Sequence, residues 1–406
     1  MTALPLRVGT GSPPHWAIRA LWVVATLAFV VYIPTQADTS TIGLISYGFE
    51  LAVAVLGLNL VMGYGGIISL GHSAFFALGG YTVAILVDTY GWSHAFTFPV
   101  AIVVGFVVGC VVSLPALRLR GIYLALVTLG LAVLFPLLVG WEKLEWLTSG
   151  TRGISGVSYD EVPLLPLVGR EDRPSEERAI FMYWLAAFAL VAAYLVVRGI
   201  VKSRVGRSLI AIRDNETAAA VMGVDLARTK TLVFGVSAAL CALAGSLFTI
   251  RGGIANANLI PMFTLLGSIL LLVVMTLGGA ATLWGPLVGA VGYVWLDDTA
   301  RAWGAGGGGE EGSWVARRLH DVFGWITGSP AAFIVALVLL GMMFVAPFGI
   351  VGLLRRLAAK VVVLVPRPAG SAATVPPVEP PVLAAPDPLG SGTTRGTTPR
   401  TPGGEP

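Results

Sequence analysis

Residues 42–87 read "IGLISYGFELAVAVLGLNLVMGYGGIISLGHSAFFALGGYTVAILV", a run in which Glu50 is the sole Asp, Glu, Lys or Arg and glycines, not charges, interrupt the apolar side chains. A helix of roughly 20 apolar residues crosses a hydrocarbon core about 30 Å thick. The stretch is therefore long enough for two spans, expected at 42–62 and 67–87, with Gly63–Gly66 unwinding the chain between them. Non-helical backbone at membrane depth survives only where it is buried in protein or lines a cavity. The glycines thus mark either a translocation path or tight helix packing by small residues.

The same reading extends outward in both directions. Of 406 residues, 56% are apolar and 12% charged, and the mean hydropathy is +0.83, a composition that excludes an ordinary soluble domain. Ten spans are expected, adding 16–33, 96–117, 121–140, 179–198, 231–250, 263–283, 284–303 and 330–350 to the two above. The spans at 67–87 and 284–303 begin on the Gly-rich stretch and on Trp284-Gly285-Pro286, so either is a candidate broken or re-entrant helix. The expected fold is an all-α polytopic membrane bundle.

Lys and Arg are retained on the cytoplasmic side of short loops. With the N-terminal residues 1–15 inside, the cytoplasmic segments collect Arg7, Arg19, Arg118, Arg120, the cluster from Arg198 to Lys230, and Arg355, Arg356 and Lys360. The opposite side holds the acidic loop 141–178. The formal charge of +4 is then a signal of topology, not of nucleic-acid binding. The first run lacks a small-residue cleavage site and reads as an uncleaved span. Residues 351–406 read as a basic segment followed, from Pro366, by a Pro/Gly/Ser/Thr-rich tail too poor in large apolar residues to fold. Cys110 and Cys241 fall within apolar runs and imply no disulfide framework.

The four lysines follow Glu142, Val201, Thr229 and Ala359, so the chain has no Gly-Lys-Ser/Thr phosphate loop. His15, His72, His94 and His320 stand apart from carboxylates and cysteines at metal-ligand spacing, and no Gly-x-Ser-x-Gly elbow occurs. No catalytic or metal residue is expected. The long basic loop at 201–230 reads as two short helices, Arg207–Ile212 and one that starts after Asp214-Asn215, takes Glu216 into its first turn and ends at Gly223. Ala218, Ala219 and Ala220 give the second helix a smooth face that another backbone can approach.

Glu216, Ala218, Ala219 and Gly223 form a Glu-x-Ala-Ala-x-x-x-Gly pattern that resembles the loop by which membrane subunits of bacterial ABC importers dock on their ATPases. The run "GRSLIAIRDNETAAAVMGVD" (206–225) is similar to that of LivM-type permeases of branched-chain amino acid importers. So are "LGLNLVMGYGGIISLGHSAFFALGGYT" from Leu56, "LRLRGIYLALVTLGLA" from Leu117 and "LGGAATLWGPLVGA" from Leu277. The resemblance covers residues 50 to 350, leaving the N-terminal residues, the Gly-rich insert from 304 and the tail outside it. It implies a non-catalytic subunit working with a second, LivH-like permease, two ATPases and an extracytoplasmic solute-binding protein. No cofactor is implied for this chain; ATP and magnesium belong to the ATPases. Arg213, Glu216, Ala218, Ala219 and Gly223 are then the expected coupling residues.

Candidate path residues are Glu50, Asn59, Gly65, Gly66, Ser69 and His72. A carboxyl near mid-membrane costs at least about 2.5 kcal/mol unless it faces protein or water. Glu50 therefore either meets an amino group or gating partner, or is a hydrogen-bonded carboxyl at a helix interface. His72 is either a titrating gate or a neutral, satisfied histidine, and Asn59 an interhelical hydrogen-bonding group. Gly65-Gly66-x-x-Ser69-Leu70 recurs faintly as Gly278-Gly279-x-x-Thr282-Leu283, the pattern expected of two related breaks. Urea or short-amide importers share the resemblance. A passive channel has no need of a docking helix, and an ion-coupled carrier needs more buried carboxylates than Glu50.

Overall fold

The structure is a computed structural model that describes residues 6–9, 30–116, 122–159, 174–304, 341 and 349–365. Among the described residues the α-helices with assigned bounds are α1 (Thr39–Asn59), α2 (His72–Asp88), α3 (His94–Ala116), α4 (Ile122–Val139), α5 (Glu145–Thr148), α6 (Pro174–Lys202), α7 (Arg204–Asp214), α8 (Glu216–Val221), α9 (Leu226–Gly252), α10 (Leu265–Gly278), α11 (Gly285–Gly304) and α12 (Gly349–Val361). Residues 30–36 are also helical. Strands are minor: β1 (Leu6–Gly9) pairs in parallel with β4 (Val362–Val365), and β2 (Ile154–Ser155) pairs antiparallel with β3 (Ile254–Ala255).

Among the described residues four helical stretches are long and apolar enough to cross a membrane: 39–64, 94–114, 176–202 and 226–252. A fifth forms if α4 and the segment Glu142–Thr148, bent by 65°, count as one span. α2 and α10 are apolar but shorter. Each of the eight expected spans from 42 to 303 thus coincides with a helix. The count of ten does not follow from them, since most of 16–33 and nearly all of 330–350 lie outside the described residues, as does the tail from Pro366.

α9 is the central post. The order of its contacts with α1 is reversed along the two chains: Ser237 Oγ donates to Gly57 O (2.6 Å), Cys241 Sγ to Ala54 O (3.5 Å), and Arg251 reaches Glu50. The helices are therefore antiparallel. Small residues allow this proximity. Gly105 and Gly109 of α3 face α9 so closely that a Cβ on either would stand 2.5 Å from the Cβ of Ala242 or Ala238. The Gly105-x-x-x-Gly109 spacing is thereby accounted for within this chain. The other face of α3 exposes Val103, Phe106, Val107, Val111 and Leu114, and α6 exposes Phe188, Val191, Leu195 and Val196. Helices apolar all round with such bare faces need a surrounding that is itself apolar.

The chain breaks where the glycines are. α1 runs on into one π-helical turn, Leu60–Tyr64, then Gly66 adopts φ +66°, and residues 65–71 stay non-helical. The third expected span consequently starts at His72, not at 67. Several N–H groups at the break and at the start of α2 find acceptors: Gly66 N–H donates to Met62 O (3.1 Å), Ile67 N–H to Val61 O (3.2 Å), Leu70 N–H to Thr128 Oγ1 (3.0 Å) and Ser73 N–H to Ser268 Oγ (3.0 Å). A second break between α10 and α11 has Gly279 at φ +114° and Ala281 at φ +57°.

Candidate functional site

The loop joining α6 to α9 folds as a capped hairpin of α7 and α8. Ser203 Oγ accepts from Val205 N–H (3.1 Å) and starts α7 three residues before the expected Arg207. Asn215 Oδ1 accepts from Ala218 N–H (3.0 Å) and starts α8; Asp225 Oδ1 accepts from Arg228 N–H (3.0 Å) and starts α9. Each cap satisfies a donor that has no partner within its helix. Gly223, at φ +83°, turns the chain out of α8.

The hairpin distributes its residues differently from the smooth alanine face expected. Ala219 is only 4% exposed and packs inward, whereas Ala218 and Ala220 are exposed. Glu216 forms a 2.7 Å ion pair with Lys230, closing the hairpin on the first turns of α9. What stands bare at the tip is Val221 (81% exposed) and Met222 (84%). Sequence reasoning passed over both, although an apolar pair in a loop otherwise rich in charge was visible.

Arg213 joins this hairpin to the first break. Its Nη1 donates to Gly63 O (3.4 Å), and its Nε and Nη2 donate to Asp214 Oδ1 (3.1 and 3.0 Å). A Cβ on Gly66 would lie 2.6 Å from Arg213 Cγ, so both the left-handed backbone and the contact require glycine there. A cavity of about 270 Å³ lies between Gly65–Ile68 of the break and Arg213–Glu216 of the hairpin. Asn59 ties the first break to the second, its Nδ2 donating to Thr282 O (2.8 Å) while its Oδ1 accepts from Ala281 N–H (2.9 Å).

The other candidate path residues sit deeper. Ser237 Oγ spends its single proton on Gly57 O, so it accepts from His72 Nε2–H (2.7 Å), and His72 Nδ1 accepts from Ser69 Oγ–H (2.9 Å). This chain assigns a neutral Nε2–H imidazole with both nitrogens satisfied. Glu50, fully buried, accepts from Arg251 Nε at both carboxylate oxygens (2.9 and 3.1 Å). Arg251 is part of the site that the sequence did not reveal: it closes a helix 201 positions away, and nothing local announces its partner.

Among the described residues, Glu50, Asn59, the two glycines and the Ser69–His72 pair make their contacts with different parts of the bundle. Gly65 and Gly66 line the space facing the hairpin; Asn59 clamps the two breaks; Ser69 and His72 bind α2 to α9; Glu50 lies farther up α1.

Residues 40–347 match the family described as branched-chain amino acid transport system, permease component. The chain belongs to this family of permeases. Together with its apolar helices, that membership makes it a multi-pass membrane protein. The permease LivM of the high-affinity branched-chain amino acid transport system of Escherichia coli (strain K12) is 30% identical over 292 residues, 67% of this chain and 66% of LivM. This permease thus spans about two thirds of the length of that relative. The inner membrane ABC transporter permease protein YjfF of the same organism is 25% identical over 305 residues, 70% of this chain and 84% of YjfF. A probable branched-chain amino acid transport permease protein LivM of Methanocaldococcus jannaschii is 27% identical over 197 residues, 48% of this chain and 52% of the relative. No solved structure matches this permease.

Proposed function

We propose that this chain is the membrane-spanning, non-catalytic subunit of an ATP-driven importer of branched-chain amino acids. It works with a LivH-like second permease, two ATPases that bind ATP and magnesium, and a solute-binding protein that delivers the amino acid. The hairpin α7–α8 is the ATPase-docking element and lies on the cytoplasmic side with both chain termini. The observation that carries this reading is the tip of the hairpin. Two large apolar side chains, Val221 and Met222, stand almost fully exposed on short helices whose ends are fixed by Ser203, Asn215 and Asp225. Burying each in a partner groove gains about 1.5–3 kcal/mol, and the fixed caps lower the ordering cost of docking.

ATP binding and hydrolysis by the partners then move the hairpin, and Arg213 transmits the movement to Gly63 and Gly66. The ATPases supply the difference in binding free energy between outward- and inward-facing states that any such switch requires. Gly65 and Gly66 act as the joint at the inner end of the path, and Asn59 keeps the two breaks moving together.

The test is co-purification of the ATPases with native permease and with Met222→Asp. The variant should fold and reach the membrane but retain less than about a tenth of the ATPase, since a buried carboxylate without a partner is costly. ATPase retained at the native level sinks the docking assignment.

A further inference from the structure

We infer that the terminal nitrogens of Arg251 form a binding site for the carboxylate of an aliphatic α-amino acid, with Glu50 and two aromatic rings as positioning groups. The inference rests on the import reading above and names the substrate-recognition chemistry within it.

Three contacts fix the guanidinium. Glu50 takes the Nε edge with both oxygens, at 2.9 and 3.1 Å. The rings of Tyr47 and Phe248, themselves 5.8 Å apart, hold the central carbon at 5.5 and 5.3 Å. The edge left over is the one that matters. Nη1 and Nη2 donate to no partner among the described residues, and neither is a buried orphan: the buried side-chain atoms lacking partners there are Arg178 Nε, Trp184 Nε1 and Thr249 Oγ1. The Arg251 side chain is 25% exposed, while Glu50 is fully buried. Glu50 is therefore out of reach of a ligand, and the parallel N–H pair of Arg251 is within reach.

A guanidinium whose plane is fixed and whose Nη edge is open matches the two oxygens of a carboxylate, which it binds through two parallel charge-assisted hydrogen bonds. Tyr47 and Phe248 are partly exposed beside it and offer apolar surface to a branched aliphatic side chain. Glu50 balances the arginine and the amino acid is a zwitterion, so the occupied site carries no net charge. The site lies at the end of α9 remote from the docking hairpin, about 38 Å from Leu226 at ~1.5 Å per residue. A neutral amide such as urea has no carboxylate to offer, and this chemistry selects against it.

The first measurement is modification of Arg251 by phenylglyoxal, which attacks the Nη pair, followed by peptide mass mapping of the assembled importer in nanodiscs. Saturating L-leucine should slow labelling at Arg251 by about tenfold or more, the effect of two charge-assisted bonds, while L-leucinamide should not. No protection, equal protection by leucinamide, or protection by the unliganded binding protein alone, which would make its own acidic side chain the carboxylate, each overturns the inference.

The second measurement uses Arg251→Lys, which keeps the charge beside Glu50 but loses the fork. It should raise KM for leucine by about tenfold with the ATPases still assembled on the permease. Should that variant fail to assemble, the labelling of the native chain decides. Native uptake of leucine with an unchanged KM in Arg251→Lys overturns the carboxylate site alone. Native uptake of urea and not leucine overturns the import reading and the site with it.

Discussion

Replacing Glu50 by Gln removes one charge from a pair whose other member stays inside the bundle. At 2.9 Å and an effective dielectric of about 20, the attraction between full charges is on the order of 6 kcal/mol. Most of that offsets the desolvation of the two groups. The loss on removing one partner is therefore set by the stranded guanidinium, and similar buried pairs lose about 3–5 kcal/mol. Arg251 keeps a quarter of its side chain accessible, which places Glu50→Gln toward the lower end of that range. The double variant Glu50→Leu, Arg251→Leu leaves no charge behind and should recover most of the deficit, because burying an ion pair gains little over burying apolar side chains of similar volume. The assay is reversible unfolding of the purified permease in mixed micelles by added SDS, comparing native, both single leucine variants, Glu50→Gln and the double variant. A Glu50→Gln deficit under about 1 kcal/mol, or a double variant whose deficit equals the sum of the singles, would refute the reasoning, since either means the two groups do not depend on each other.

Three further substitutions probe the joints. Asn59→Ala strands Ala281 N–H and Thr282 O, and at about 1–3 kcal/mol per unmet group it should destabilise the permease by roughly 2–6 kcal/mol in the same micelle titration. Ser237→Ala leaves His72 Nε2–H without its acceptor and should cost about 1–3 kcal/mol, whereas Ser246→Ala, whose hydroxyl merely donates back to Leu243 O in its own helix, should cost much less. Gly66→Ala forces a Cβ into a left-handed residue, at about 1–2 kcal/mol, and against Arg213; uptake should fall with ATPase binding intact, and Arg213→Ala added to it should relieve the contact and restore part of the loss. An additive double variant would show that Gly66 and Arg213 do not act on each other.

The helices were largely legible because a bilayer leaves the chain few choices: each of the eight expected spans from 42 to 303 coincides with a helix, shortened at 67–71 and 279–283 where the chain breaks. The break at Gly63–Gly66 was legible for the same reason, since glycines in sequence both loosen a helix and admit a neighbour. Its register was less so. α2 begins at His72 because Leu70 and Ser73 donate to Thr128 and Ser268, partners 58 and 195 positions away that no local pattern announces. The caps Asn215 and Asp225 are local, and the sequence named the first of them. The face of α8 was misread because a six-residue helix presents side chains according to how its flanks are tethered, and the Glu216–Lys230 pair turns Ala219 inward. Glu50 was recognisable as a buried charge in need of a partner. Arg251 was not recognisable as that partner, because it stands just beyond the apolar run 231–250 and 201 positions from Glu50, with nothing local to pair them. The chemistry of tertiary pairs thus came from the fold, while the division into spans and docking loop came from composition and spacing.

The proposed import is tested by uptake of labelled leucine and urea into proteoliposomes holding this chain with the proposed second permease, ATPases and binding protein, with and without ATP, for the native chain and for Met222→Asp. Leucine accumulation should require ATP and binding protein, disappear in the variant, and have no urea counterpart. Leucine or urea flux that proceeds without ATP and is unchanged by Met222→Asp would contradict the proposed import and identify the bundle as a channel or an ion-coupled carrier.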